Sequence, residues 1–76
     1  MAVHFSRHAQ RQMKWRRVSE EEVLSVLNNP DRLEETIGER KNAYKLLGNR
    51  SLKVTYKDEK SETVVITVIE KERNRG

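Results

Sequence analysis

The chain has 76 residues, of which 37% are charged and 34% hydrophobic, and its net charge is +4. A chain of this length forms one domain with a modest core, because it buries only about 60% of its unfolded surface. It contains no cysteine, which excludes disulfides and thiolate metal ligands, and no apolar run approaches the roughly 20 residues needed to cross a bilayer. We therefore expect a single cytoplasmic domain over residues 1–76 with no membrane partner, no metal and no other cofactor. Residues 70–76 are expected to form a flexible tail.

Charge is distributed in blocks along the chain. Residues 1–18 carry five bases and no acid, residues 19–39 carry seven acids and only Arg32 as a base, and residues 40–57 carry six bases and no acid. If the two basic blocks meet on one face after folding, that face concentrates polyanions such as RNA. The alternative is a solvated surface with no ligand.

Two short helices are predicted in the first half of the chain. Ser6 is a good N-cap for a helix that runs to about Arg16, after a short apolar entry at residues 3–5. Ser19 and Glu22 have the spacing of a capping box for a second helix, which ends near Asn28 before Pro30. A tight link between the helices predicts an antiparallel helical hairpin.

After Pro30 the hydrophobic period changes from helical to two, which indicates strands. The predicted strands are residues 32–37, 42–47, 51–57 and 62–69, and their short links favour pairing in sequence order. The sequence thus predicts an α+β fold in which an N-terminal helical hairpin packs on a four-stranded antiparallel meander. A three-residue turn at 48–50 would place Tyr44 on the core side and oppose Lys45 to Lys53 on the uncovered side, together with Thr67. Opposed like charges cost stability and indicate an anionic ligand.

The run from Phe5 to Lys71 resembles a family of small prokaryotic domains of unassigned function. The resemblance lies in His8–Ala9, Arg11 and the capped acidic helix that ends in Asn-Pro. The family pattern opens "SxHAxxRMxxRxIS", and Arg17 stands near a position where it often has glycine. That family is similar to the RelE-like and BrnT-like toxins of toxin–antitoxin pairs. The resemblance implies a RelE-like fold and a metal-independent endoribonuclease that acts on RNA, including ribosome-bound mRNA, and is inhibited by an antitoxin protein.

Cleavage of RNA without a metal uses the substrate's 2′-hydroxyl as nucleophile, so the protein supplies proton transfer and cations. His8 is the candidate for proton transfer, since histidine titrates near neutral pH, and Lys53 on the central strand is the candidate for stabilising the transition state. Both are predicted catalytic residues. The alternative for His8 is a packing or capping role beside Phe5.

Further residues are candidates for binding the RNA. Arg11 shares a helical face with His8 and suits phosphate, although it has the alternative of pairing with the acids of Glu20–Glu22. Trp15 continues this face and offers a stacking surface, with a half-buried rim position as its alternative. The other candidates, chosen for charge or hydroxyl groups near the sheet, are Arg40, Lys41, Lys45 and Thr67.

Two other functions compete with the nuclease. One is a non-catalytic RNA-binding module that uses the same cations. The other is a protein-interaction domain that takes a partner segment by strand addition or pairs with a second copy as a homodimer through its acidic and basic helices.

Overall fold

The computed structural model of the chain describes residues 2–71. One strand, two helices and then four strands follow one another in the order β1, α1, α2, β2, β3, β4 and β5. Their bounds are β1 Ala2–Phe5, α1 Arg7–Arg16, α2 Glu20–Asn28, β2 Arg32–Glu35, β3 Arg40–Leu47, β4 Arg50–Glu59 and β5 Glu62–Lys71.

The sheet has five strands in the order β1-β5-β4-β3-β2. Strands β2 to β5 form the antiparallel meander that the sequence predicts, but the predicted count of four strands is wrong. The apolar entry is itself a strand, because Val3 pairs with Thr63 and Phe5 with Val65 in parallel register. The first strand of the chain therefore becomes one edge of the sheet beside the last.

Both predicted helix starts are confirmed by their caps. The backbone N–H of Ala9 donates to Ser6 Oγ at 3.0 Å. At α2 the N–H of Glu22 donates to Ser19 Oγ at 3.1 Å, and the N–H of Ser19 donates to Glu22 Oε1 at 2.9 Å, which completes the predicted capping box. The caps satisfy N–H groups that have no partner within the helix.

The two predicted helices are present, but they do not pack against each other as the predicted antiparallel hairpin. Helix α1 lies against β5 and β1, whereas α2 lies against β3 and β4, so each helix covers its own part of one sheet face. The core between helices and sheet consists of small and branched apolar side chains: Ala9, Met13, Val18, Val23, Val26, Ala43, Leu52, Val54, Val65 and Val68. The opposite face of the sheet, which carries Tyr44, Lys53, Thr55 and Thr67, is left uncovered, and we call it the open face.

The turn between β3 and β4 has two residues and not the predicted three. Leu47 pairs directly with Arg50, and the register places Tyr44 opposite Lys53 and Lys45 opposite Leu52. Because side chains alternate between the two faces of a sheet, this one-residue difference in register exchanges the predicted faces of β3. The predicted opposition of Lys45 and Lys53 is therefore wrong, and Tyr44 lies on the open face and not on the core side.

The sheet extends further toward the C-terminus than the sequence indicates. Glu70 and Lys71, placed in a flexible tail by the sequence prediction, belong to β5 and pair with Leu52 and Ser51. The rest of the predicted tail, residues 72–76, lies outside the described residues. A register shift between Thr55 and Tyr56 of β4 marks a bulge in the pairing of β4 with β5.

We expect Arg17→Gly to raise the free energy of unfolding by about 0.5–1 kcal/mol, since a residue with a Cβ is strained in the left-handed region by about 1–2 kcal/mol and glycine is the favoured residue there. Arg17 caps α1 with φ 57° and ψ 48°, which gives a physical reason for the glycine of the family pattern. Urea unfolding measures the gain. Arg17→Ala keeps the strained backbone, so an equal gain in that variant would contradict this explanation.

Candidate nucleic-acid interface

The positive charge of α1 has no acidic partner. Its N-cap and first turn contain no acid, and among residues 2–71 none of the cations from α1 and its C-cap forms an ion pair. These cations are Arg7, Arg11, Lys14, Arg16 and Arg17. Because the positive end of the helix dipole also lies at its N-terminus, this helix is a concentrated anion-attracting surface.

Most cations of the sheet are in the opposite situation. Five of them form ion pairs: Arg32 with Glu34, Lys41 with Asp58, Lys45 with Asp31, Arg50 with Glu22 and Glu70, and Lys57 with Glu59. Their charge is balanced within the fold. Most of the second basic block is thus paired, partly with Glu22 and Asp31 of the acidic block and partly with acids that follow later in the chain, whereas the cations of the first basic block are unpaired within the part of the chain that the structure describes.

A groove runs along the exposed side of α1. His8, Arg11, Gln12 and Trp15 line it, and its volume is about 430 Å³. Gln12 fixes the position of the groove, because the backbone N–H of Val68 donates to Gln12 Oε1 at 2.8 Å. That contact attaches the helix to the edge of β5 beyond the end of β1, so the groove lies beside the sheet edge.

Trp15 is the largest exposed apolar side chain in this groove. Its relative exposure is 79%, and the Arg16 guanidinium lies 5.3 Å from the ring centroid. The alternative of a half-buried rim residue is therefore wrong, and the role of Trp15 as a stacking surface stays a prediction. A flat ring held beside cations suits a nucleobase, which stacks on aromatic side chains.

A second group of cations surrounds Tyr44 on the open face. Arg32 lies 5.1 Å, Lys53 5.9 Å and Lys71 6.0 Å from the centroid of the Tyr44 ring. We call Tyr44, Arg32, Lys53, Lys71 and Glu34 the Tyr44 cluster. Its members come from four different strands, and sequence reasoning missed it because the wrong register put Tyr44 in the core.

Hydrogen bonds hold the Tyr44 cluster in place. The Tyr44 hydroxyl donates to Glu34 Oε1 at 2.9 Å and Asn42 Nδ2 donates to the same oxygen at 3.2 Å, while the Thr55 hydroxyl donates to Asn42 Oδ1 at 2.7 Å. The bonds from Asn42 and Tyr44 lower the pKa of Glu34, and the bond to Glu34 raises the pKa of Tyr44. At neutral pH the cluster therefore contains a carboxylate and a neutral phenol.

The structure brings together only part of the predicted site. His8, Arg11 and Trp15 line one groove as predicted, whereas Lys53, the second predicted catalytic residue, lies on the central strand β4 and does not line that groove. Thr67 lies on the open face opposite Thr55.

The remaining candidates are spread elsewhere. Arg40 begins β3 and is exposed. Lys41 and Lys45 lie on the helix-covered side of β3, where Lys45 Nζ donates to the carbonyl of Asn29 at 2.9 Å and Lys41 pairs with Asp58 at 3.5 Å. These two lysines stabilise the fold with charges that are already balanced.

Among residues 2–71, no three His, Asp or Glu side chains converge as they do around a metal ion. Neither of the helices described there is long and apolar enough to span a membrane.

Comparison with known families matches residues 5–70 to the domain of unknown function DUF4258. No curated protein and no solved structure matches the chain. The resemblance to RelE-like and BrnT-like toxins thus stays a prediction, and the expected family of unassigned function is confirmed. Because the match spans most of the 76 residues, the chain belongs to the DUF4258 family.

Proposed function

We propose that this domain binds single-stranded RNA along the exposed side of α1. The observation that carries the proposal is the coincidence of unpaired cations and Trp15, a ring 79% exposed, on one helix. Unpaired cations attract phosphates without breaking existing ion pairs, and an exposed aromatic ring supplies base stacking that does not depend on sequence.

The groove of α1 has a place for each part of a nucleotide. Trp15 offers its ring to a base, and Arg11 offers a guanidinium that binds a phosphate through two parallel hydrogen bonds. Arg7 and Lys14 add positive charge on the same exposed helix. Since Gln12 is held by the N–H of Val68, the helix and its groove keep their position on the sheet edge when RNA binds.

Metal-independent cleavage of the bound RNA is a second candidate function, and the position of His8 in the same groove as Arg11 favours it. In this reaction His8 takes the proton of the 2′-hydroxyl, whose oxygen attacks the adjacent phosphorus. The bond to the 5′-oxygen breaks, and that oxygen takes a proton from solvent water as it leaves. The products are a 2′,3′-cyclic phosphate and a 5′-hydroxyl, and Arg11 stabilises the charge of the transition state.

Incubating end-labelled RNA with the purified protein in EDTA tests the second candidate. Cleavage by the wild type that is lost in His8→Ala supports the nuclease. Intact RNA with retained binding leaves the non-catalytic RNA-binding module. Absence of both cleavage and binding points to the third predicted function, a protein-interaction domain.

We expect Arg11→Gln to weaken RNA binding and to flatten its salt dependence, because each phosphate contact of single-stranded RNA contributes about 0.7 to the slope of log K against log salt. Lys41→Gln is the matched control, since it removes the same charge from a lysine already paired with Asp58. Fluorescence anisotropy with a labelled single-stranded oligonucleotide between about 50 and 200 mM salt measures both slopes.

The two variants separate a local site from a general effect of net charge. The proposal predicts a lower slope for Arg11→Gln and an unchanged slope for Lys41→Gln. Equal reductions in both variants would show that RNA responds only to net charge, which contradicts a site on α1.

A further inference from the structure

The Tyr44 cluster concentrates positive charge that the fold does not neutralise. It contains the three cations Arg32, Lys53 and Lys71 around one ring and one carboxylate, that of Glu34, so its net charge is +2. Within residues 2–71, Arg32 pairs with Glu34 at 3.5 Å, and neither Lys53 nor Lys71 forms an ion pair.

The carboxylate of Glu34 is fully engaged and does not neutralise the lysines further. Its Oε1 accepts from both Tyr44 and Asn42, and its Oε2 lies against Arg32. Lys53 and Lys71 are diagonal neighbours on adjacent strands, since Lys53 pairs with Ile69 and Lys71 with Ser51. Their long side chains approach the same ring, so their like charges repel each other. This repulsion between the two lysines decreases when an anion binds between them.

The charge of the cluster indicates which anion fits. A phosphate monoester carries about −1.5 to −2 at pH 7, whereas each internal phosphodiester of RNA carries −1. A cluster with a net charge of +2 matches the monoester. Arginine and lysine also supply the several donors that the terminal phosphate oxygens accept.

We infer that the Tyr44 cluster binds the terminal phosphate monoester of an RNA strand, so that the domain distinguishes RNA ends by their phosphorylation. This inference rests on the proposed RNA binding by α1 and adds a second contact, on a different surface, to the same ligand. Tyr44 and Glu34 hold the cluster in place before the ligand arrives, because their hydrogen bond fixes the ring that the cations surround.

The test compares three single-stranded RNAs of one sequence, with a 5′-hydroxyl, a 5′-phosphate or a 3′-phosphate, as competitors for a labelled strand at constant ionic strength. We expect at least one phosphorylated strand to bind about fivefold or more tightly than the strand with hydroxyl ends. Lys53→Gln is expected to abolish that preference. Lys57→Gln, on the same strand but already paired with Glu59, is expected to retain it.

Equal binding of all three strands, or a preference that survives in Lys53→Gln, would overturn the terminal-phosphate site while leaving RNA binding by α1 intact. Binding of phosphorylated strands alone would support the terminal-phosphate site and contradict α1 as an RNA surface. Failure of every strand to bind would overturn both. Urea unfolding of Lys53→Gln shows whether the variant is folded.

Discussion

We expect replacement of Arg50 by alanine to lower the free energy of unfolding by about 2–4 kcal/mol. Arg50 Nη2 donates to the carbonyl of Arg16 and Nη1 to the carbonyl of Arg17 at 3.1 Å. The same guanidinium pairs with Glu22 and Glu70, each at 3.3 Å. One side chain therefore ties the end of α1 to α2 and to β5.

The large cost has an electrostatic cause. The Arg50 side chain is 26% exposed, and its carboxylate partners Glu22 and Glu70 are 32% and 29% exposed. When Arg50 is lost, these carboxylates stay partly shielded from water and no longer have a cation beside them. Hydrogen bonds to Glu70 also raise the pKa of Arg50, which keeps the guanidinium charged. In Arg50→Ala the two helix-end carbonyls and the two carboxylates lose their shared donor.

Thermal unfolding measures this effect as a fall in Tm of roughly 8–32 °C, since a domain of this size shifts by about 4–8 °C per kcal/mol. Lys57→Ala is the control, because it removes a single exposed ion pair with Glu59 that contributes about 0–1 kcal/mol. Similar melting temperatures for the two variants would contradict the special role of Arg50.

The second large effect concerns RNA affinity. We expect Trp15→Ala to weaken binding of single-stranded RNA by about 5- to 150-fold, because stacking of one base on an aromatic ring contributes about 1–3 kcal/mol. The substitution leaves the core untouched, since Trp15 is 79% exposed, and alanine favours the helix. Anisotropy titration with a labelled oligonucleotide measures the change.

Trp15→Phe is the matched variant for this prediction, since it keeps an aromatic ring at the same position. We expect it to retain most of the affinity and to have the same urea midpoint as the wild type. An unchanged affinity in Trp15→Ala would remove base stacking on α1 from the proposed function.

The helices could be predicted because their signals are local. Ser6, Ser19 and Glu22 cap helix ends through contacts three residues away in the chain, so the sequence order itself carries the information. The same regular spacing predicted that His8, Arg11 and Trp15 lie along one side of α1, which the groove confirms.

The first strand could not be predicted in the same way. Residues 3–5 look like an apolar entry because the strand β1 is only four residues long, and its partner β5 lies about sixty positions further along the chain. Short strands that depend on distant parallel partners leave no local signal, and the edge of the sheet was therefore missed.

The Tyr44 cluster could not be predicted from the sequence because the length of the turn between β3 and β4 was predicted wrongly. Gly48 has φ 63° and occupies the first position of a two-residue turn with Asn49, as in a type II′ hairpin. A Gly-Asn pair between two strands is a signal for this tight turn, and a two-residue turn gives the register that the structure has. With three residues assigned to the turn, the faces of β3 were reversed and Tyr44 was separated from Lys53.

The most direct measurement of RNA binding by α1 is the fluorescence of Trp15, the only tryptophan in the chain, during titration with single-stranded RNA at low salt. If bases stack on the exposed ring, the titration gives saturable quenching, and the signal recovers when salt releases the RNA. Binding detected by anisotropy with no change in Trp15 fluorescence would place the RNA elsewhere on the domain and contradict RNA binding by α1.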